Sequence, residues 1–176
     1  MMLKTIVTII VLALVALFGF AATKPDSFRV ERSTTISAPA ETVFPLINDL
    51  KQWDNWSPWA NRDPDMKKSV SGSPAGVGAI YEWEGNQEVG QGRMEIMESN
   101  PPSKVSIKLN FIKPFEAENT SEFALSASGD STDVTWAMFG NNTFLQKVMS
   151  VFFSMDEMVG PDFESGLSSL KALAEK

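Results

Sequence analysis

Few residues of this chain are of types that do covalent chemistry, and their spacing limits what that chemistry is. Histidine and cysteine are absent from all 176 residues. Their absence removes imidazole bases, thiolate nucleophiles and the usual zinc ligand sets together. Carboxylates, serines, a few arginines and one tyrosine remain. Glu82 and Glu84 alternate with Tyr81 and Trp83, and in a strand that alternation turns the aromatic pair inward and both glutamates to solvent. Arg93 and Glu95 are two residues apart, on one strand face, where they suit each other better than a substrate. Asp156, Glu157, Asp162 and Glu164 crowd a short stretch, but without histidine only a hard, oxygen-ligand site is open to them, and the spacing matches no calcium loop. No metal, no cofactor and no catalytic residue is expected. Tyr81 is the best inward polar handle; its hydroxyl has two equal claimants, a ligand and a backbone carbonyl.

The apolar residues say more. Trp53, Trp56 and Trp59 stand three apart in WDNWSPWA, more than half of the five tryptophans in the chain. Three exposed indoles would be an aggregation hazard, so Trp53 and Trp56 are expected as packing and Trp59, beside Pro58 and a polar loop, at a cavity mouth. Nine methionines and twelve phenylalanines accompany them. Met149, Phe152, Phe153, Met155 and Met158 gather where C-terminal helices are expected to face a sheet. They are either ordinary core or a pliable apolar lining.

The elements that must position these residues follow from periodicity. Residues 27–37 alternate, with Phe28, Val30, Arg32, Thr34 and Ile36 on one face of a strand. Pro39 and Glu41 suit the first turn of a helix, Ser37 is its expected cap, and Val43, Phe44, Leu46, Ile47 and Leu50 give its apolar side. A short second helix over WDNWSPW breaks at Pro58. Strands are then predicted over 68–72, 78–84, 88–99, 104–111, 116–128 and 133–140, separated by glycine, proline and asparagine turns at hairpin spacing. Antiparallel pairing follows. The expected inner faces carry Tyr81 and Trp83, Met94 and Ile96, Leu109 and Phe111, Phe123 and Leu125, and Trp136 and Met138. A helix is predicted over 143–153 and another from about 155 to 174, either bent or restarted at Gly160-Pro161.

Residues 5–22 are apolar and uncharged, between Lys4 and Lys24. At about 1.5 Å per residue they cover about 27 Å, just enough for a hydrocarbon core. Gly19-Phe20-Ala21 offers a small-x-small cleavage site, the signal-peptide alternative. The run exceeds an ordinary signal core, which favours an uncleaved anchor. The chain divides accordingly into an anchor or signal segment, 1–24, and one domain, 25–176. Charge gives little orientation, with Lys4 before the segment and Lys24, Arg29 and Arg32 after it; export is the expected topology. Without residues 1–22 the chain holds 14 basic against 22 acidic groups, a net −8. Such a surface repels phosphate backbones and anionic head groups, so no nucleic-acid partner is expected.

The order strand, two short helices, six strands, long helix resembles the helix-grip fold of the START-like, or SRPBCC, superfamily. The matching stretches are RSTTISAPAETVFPLINDLKQWDNWSPW at 32–59, GQGRMEIMESNPPSKVSIKLNFIKPF at 90–115, DSTDVTWAMFG at 130–140 and FFSMDEMVGPDFESGLSSLKALAE at 152–175. They are similar to the bacterial polyketide cyclase/dehydrase-like branch, many members of which carry an N-terminal apolar segment. The resemblance implies an α+β fold: a curled antiparallel sheet of about seven strands around a long C-terminal helix, preceded here by a transmembrane segment. It also implies an internal cavity for a hydrophobic or amphipathic small molecule or lipid, and no particular reaction. Expected lining residues are Trp59, Tyr81, Trp83, Met94, Leu109, Phe111, Phe123, Trp136, Met138, Phe152, Met155 and Met158. The first reading of function is membrane-tethered ligand binding without catalysis. The alternatives are a cyclase-like enzyme using Tyr81 and Arg93 on a carbonyl, and a structural or regulatory module whose cavity is filled. The expected location is the bacterial inner membrane, single-pass, with the domain periplasmic or extracellular, or secreted after cleavage.

Overall fold

Alternation between apolar and polar residues builds the sheet. The structure, a computed structural model, describes residues 2–176, the side chain of Asn61 excepted. Seven strands, β1 (Ser27–Ile36), β2 (Lys67–Gly72), β3 (Ala79–Glu84), β4 (Gln91–Asn100), β5 (Lys104–Lys113), β6 (Ala117–Ser128) and β7 (Ser131–Asn141), form one sheet. Their order is β1-β7-β6-β5-β4-β3-β2, and every neighbouring pair is antiparallel. Consecutive strands from β2 to β7 are joined by turns, and β1 closes onto β7 through a register from Ser27↔Asn141 to Ile36↔Thr132.

The register lays the inner face out in rows. One row runs from Phe28 through Gly140, Asn119, Leu109 and Met94 to Tyr81, each opposite the next. A deeper row holds Arg32, Trp136, Phe123 and Val105. The sheet therefore has two distinct ends. At one lie the start of β1, the end of β7 and the hairpins around 85–90 and 113–116. At the other lie the turns around 73–78, 101–103 and 129–130.

Helix α2 (Ala40–Asn48) and the 3₁₀ turn Leu50–Asn55 close the second end. Asn48 accepts from the Gly76 amide at 3.0 Å and from the Ser99 hydroxyl at 2.8 Å, and Thr132 Oγ1 donates to the Ala38 carbonyl at 2.8 Å. Helix α4 (Met155–Ala174) lies along β1. Arg32 donates to Asp156 at 2.7 Å and to Glu164 at 2.6 Å. Further along, Lys171 Nζ donates to the Thr35 carbonyl at 2.7 Å and the Ser37 amide to Glu175 at 2.6 Å. Ser154 and Glu157 form a capping box at the start of α4. Helix α1 (Met2–Ala22) is apolar, largely uncovered, and long enough to cross a membrane.

The α+β helix-grip architecture, the seven strands and the long C-terminal helix are as the sequence leads one to expect. Four local expectations need correction. Ser37 does not cap α2: Pro39 occupies the cap without a side-chain bond, and the Ser37 amide is engaged by Glu175. The segment after α2 is two 3₁₀ turns, Leu50–Asn55 and Pro58–Asn61, because Pro58 lacks an amide to continue the first. Pro161 does not restart a helix; α4 runs through it. The helix predicted over 143–153 is only the six residues of α3 (Phe144–Met149).

Candidate ligand-binding site

Inward-pointing aromatics fill the deep half of the grip. Trp136, 1% exposed, is stacked between Phe163 of α4 at 4.0 Å and Phe123 of β6 at 4.9 Å. Trp53 and Trp56 meet it edge-on at 6.2 and 5.6 Å. Buried indoles need an acceptor, and these have one. Trp53 donates to the Ile47 carbonyl and Trp56 to the Leu46 carbonyl, each at 2.9 Å, and Trp136 donates to Ser121 Oγ at 2.9 Å. The overloaded WDNWSPWA segment is thus a plug: the strand row supplies one aromatic wall, the 3₁₀ turns another, and α4 the third.

Toward the other end the grip changes character. Trp59 stands edge-on to Trp136 at 5.8 Å and to Phe163 at 6.4 Å, and its indole N–H has no hydrogen-bond partner among the described residues. Trp83 donates to the Val89 carbonyl at 3.0 Å and lies over Gly92, where a Cβ would fall 2.3 Å from its ring. Tyr81, Met94 and Met138 are buried and Leu109 half-buried on the same face. The Tyr81 hydroxyl has no hydrogen-bond partner among the described residues; burial, with the Asp54 charge behind it, pushes its ionisation well above the ordinary tyrosine value. Asn119 is 6% exposed, and its Oδ1 is buried with no partner among the described residues. A Cβ on Gly140 would fall 2.2 Å from that oxygen, so the glycine makes the room that Asn119 occupies. An unpaired buried amide oxygen costs about 1–3 kcal/mol and needs a reason.

Two surface cavities open at this end. One, about 360 Å³, is lined by Phe28, Phe139 and Gly140 among others; the second, about 350 Å³, by Asn110, Phe111 and Ala117. Both are open surface grooves, and neither is lined by Trp59, Tyr81, Met94, Leu109 or Asn119.

The structure brings most of the expected lining residues together. On the inner face Tyr81, Met94 and Met138 are buried, Trp83 and Leu109 pack against the core and Phe111 meets Trp83 edge-on, while Trp59 and Met155 pack against the core from the 3₁₀ turn and α4. Phe123 and Trp136 belong to the aromatic plug. Phe152 and Met158 do not join them: they are 64% and 55% exposed, and Phe153 is 64% exposed. Because α3 ends at Met149, Phe152 and Phe153 fall on the connection before α4, while Met158 lies on the exposed side of α4 itself. Asn119 escaped notice in the sequence, although alternation back from Phe123 and Leu125 places it on the inner face. Arg62 was also passed over as loop. It donates to Asp162 of α4, tying the turn that carries Trp59 to the long helix. Burial raises the Asp162 carboxyl, and the Arg62 charge partly offsets this.

Arg93 faces outward and pairs with Glu95 at 2.8 Å, so it is not beside Tyr81. Glu82 and Glu84 are exposed as expected. Among the described residues no group of acidic side chains could hold a metal ion.

A curled antiparallel sheet gripping a long C-terminal helix, plugged at one end and open at the other, defines the helix-grip class. The chain belongs to the family described as polyketide cyclase / dehydrase and lipid transport, which it matches over residues 27–175. No curated protein matches it. Among solved structures it is similar to a protein from Chromobacterium violaceum, at 17% identity and TM-score 0.60, over 87% of this chain and 99% of that one. It is also similar to the Aha1 dimer from Colwellia psychrerythraea, at 16% identity and TM-score 0.57, over 84% and 96%. The di-domain ARO/CYC BexL from the BE-7585A biosynthetic pathway resembles it at 14% identity and TM-score 0.61, over 90% of this chain and 53% of BexL. Identities this low speak to the fold alone.

Proposed function

We propose that this protein binds a hydrophobic or amphipathic small molecule or lipid in the open half of its grip, tethered to a membrane by α1 and without catalysing a reaction on it. The observation that carries this reading is the Trp59 indole. The other four tryptophans have their N–H groups satisfied by the protein; half-buried Trp59 alone donates to no described residue, with its ring against Trp136 and Phe163. With the unpaired Asn119 amide and the Tyr81 hydroxyl, it gives an apolar site a small number of polar contacts, the pattern of a site that orients an amphipathic ligand. The family description, which includes lipid transport, supports the same reading. Against catalysis stands the separation of the groups proposed for it: Tyr81 is inside with no hydrogen-bond partner among the described residues, while Arg93 is outside and paired with Glu95.

The test is native mass spectrometry of the full chain, isolated in mild detergent from its own host, followed by extraction of any bound molecule. A co-purifying hydrophobic molecule, lost when Leu109→Trp fills the open half, is the expected result. No co-purifying molecule, together with no thermal shift from a lipid panel, overturns the proposal.

A further inference from the structure

We infer that the open end of the grip is seated in the membrane surface, its apolar rim immersed at the headgroup–acyl boundary, so that ligand passes between bilayer and site without crossing water. The inference rests on the reading of α1 as a membrane anchor and adds an orientation and a ligand source to it.

The topology supplies the first argument. Helix α1 ends at Ala22 and β1 begins at Ser27, at the open end of the sheet. The linker between them is held rather than loose. The Asn142 amide donates to the Asp26 carbonyl at 2.8 Å, Asn142 Nδ2 to the Pro25 carbonyl at 3.1 Å, and Lys147 of α3 to the Asp26 carboxylate. A short, pinned linker leaves the domain little freedom to turn this end away from the bilayer.

The second argument is where the uncovered apolar side chains lie. Ile112 and Phe115 on the β5–β6 hairpin, Phe144 and Leu145 on α3, and Phe152 and Phe153 before α4 are each between 46% and 64% exposed. All six belong to segments at the open end. The turns at the opposite end present Asn100, Ser103, Ser128 and Asp130, with Val77 as the one large apolar side chain exposed in them. An apolar fringe of this extent in water is a liability, whereas Phe and Leu side chains are the ones that bury at the acyl boundary.

The third argument fixes the depth. Phe144 touches Phe18 at 6.0 Å between ring centroids, and Phe18 lies four residues before Ala22, about 6 Å back along the helix. A side chain of α3 therefore reaches the level of the apolar span itself. In the proposed seating its neighbours on the rim lie at the level where lipid headgroups end.

The absence of cysteine makes the test direct. The full chain, carrying one cysteine labelled with bimane, is reconstituted into phosphatidylcholine vesicles containing acyl-chain nitroxide lipid. Three positions are compared: Val11→Cys in α1, Phe153→Cys on the rim and Asp130→Cys at the far end. Quenching at 153 about two-fold or more above that at 130, and approaching that at 11, is expected if the rim is immersed. No quenching at 11 removes the anchor reading itself. Quenching at 11 with none at 153 overturns the seating alone, including where disulfide cross-linking through Phe153→Cys shows a second copy covering the rim.

Discussion

Phe163 of α4 and Trp136 of β7 are stacked face to face, 4.0 Å between centroids and 5° from parallel. This contact joins the long helix to the sheet and divides the grip. Beyond it, Trp53 and Trp56 fill the grip with aromatic rings; on its other side lie Trp59 and the Asn119 amide oxygen, which has no partner among the described residues. Aromatic stacking of this kind contributes about 0.5–1.5 kcal/mol beyond the area it buries, so the division is also where α4 is most firmly held.

Truncating that contact should be severe. Phe163→Ala is expected to destabilise the domain by about 3–5 kcal/mol through the cavity it leaves, read by denaturant unfolding followed by tryptophan fluorescence. Gly166→Ala tests the same packing from the other direction. Its added Cβ would fall 2.8 Å from Trp136 Cζ3 and 3.1 Å from Pro58 Cδ. With Trp136 held between two rings, overpacking by about 1–3 kcal/mol is expected. A Gly166→Ala variant as stable as the parent would show that the plug is not the rigid wall described here.

How legible was this in the sequence? The strands were, because residues such as Val105, Ile107 and Leu109 repeat with period two and the turns between strands carry glycine, proline and asparagine. The plug was legible as an excess of indoles, since Trp53 and Trp56 had to be covered by something. What pattern cannot show is which surface an apolar segment meets. Phe152 and Phe153 read as core because their hydropathy is that of core, yet the chain turns outward there. Asn119 was hidden for a different reason: a single polar residue on an inner face reads as an exception to a pattern, and only the register, setting it beside Gly140, makes it a candidate contact.

The Gly140–Asn119 pair should behave as a unit. Gly140→Ala places a Cβ 2.2 Å from Asn119 Oδ1 and is expected to destabilise, while Asn119→Ala vacates that space. The double variant should therefore lose less stability than the sum of the singles, with a coupling of about 0.5–3 kcal/mol. Additive losses in a double-mutant cycle would mean that the two side-chain positions do not compete for one volume.

Tyr81→Phe separates binding from folding. The hydroxyl has no hydrogen-bond partner among the described residues, so deleting it should change stability by less than about 0.5 kcal/mol. If it serves a ligand, the same variant should bind the co-purifying molecule several-fold more weakly in titration. Trp59→Phe should weaken binding similarly while keeping the edge-on packing against Trp136. A marked fall in the stability of Tyr81→Phe, with ligand affinity intact, would assign the hydroxyl to the fold.

Acid should loosen the contact between α4 and β1. Pairing with Arg32 holds the Asp156 carboxyl below its ordinary value of 3.8, and the cap at Ser154 holds Glu157 below 4.5. At the far end of the helix the Ser37 amide does the same for Glu175. A carboxylate depressed in the folded state binds protons more weakly there than in the unfolded chain. Its contribution is complete above the ordinary carboxylate range and is lost as pH falls through the depressed folded value. Asp162 has the opposite sign: burial raises it, so protonating it relieves a penalty as pH falls from neutrality. With Asp26, held down by Lys147, four depressed groups against one raised group predict a net loss of stability between about pH 5 and pH 2. Because Asp156, Glu157 and Glu175 are at the surface, the loss should shrink in high salt. Unfolding midpoints measured across that range should fall less steeply in Asp156→Asn than in the parent. Identical slopes would mean that the Arg32 bridge does not help hold the helix in place.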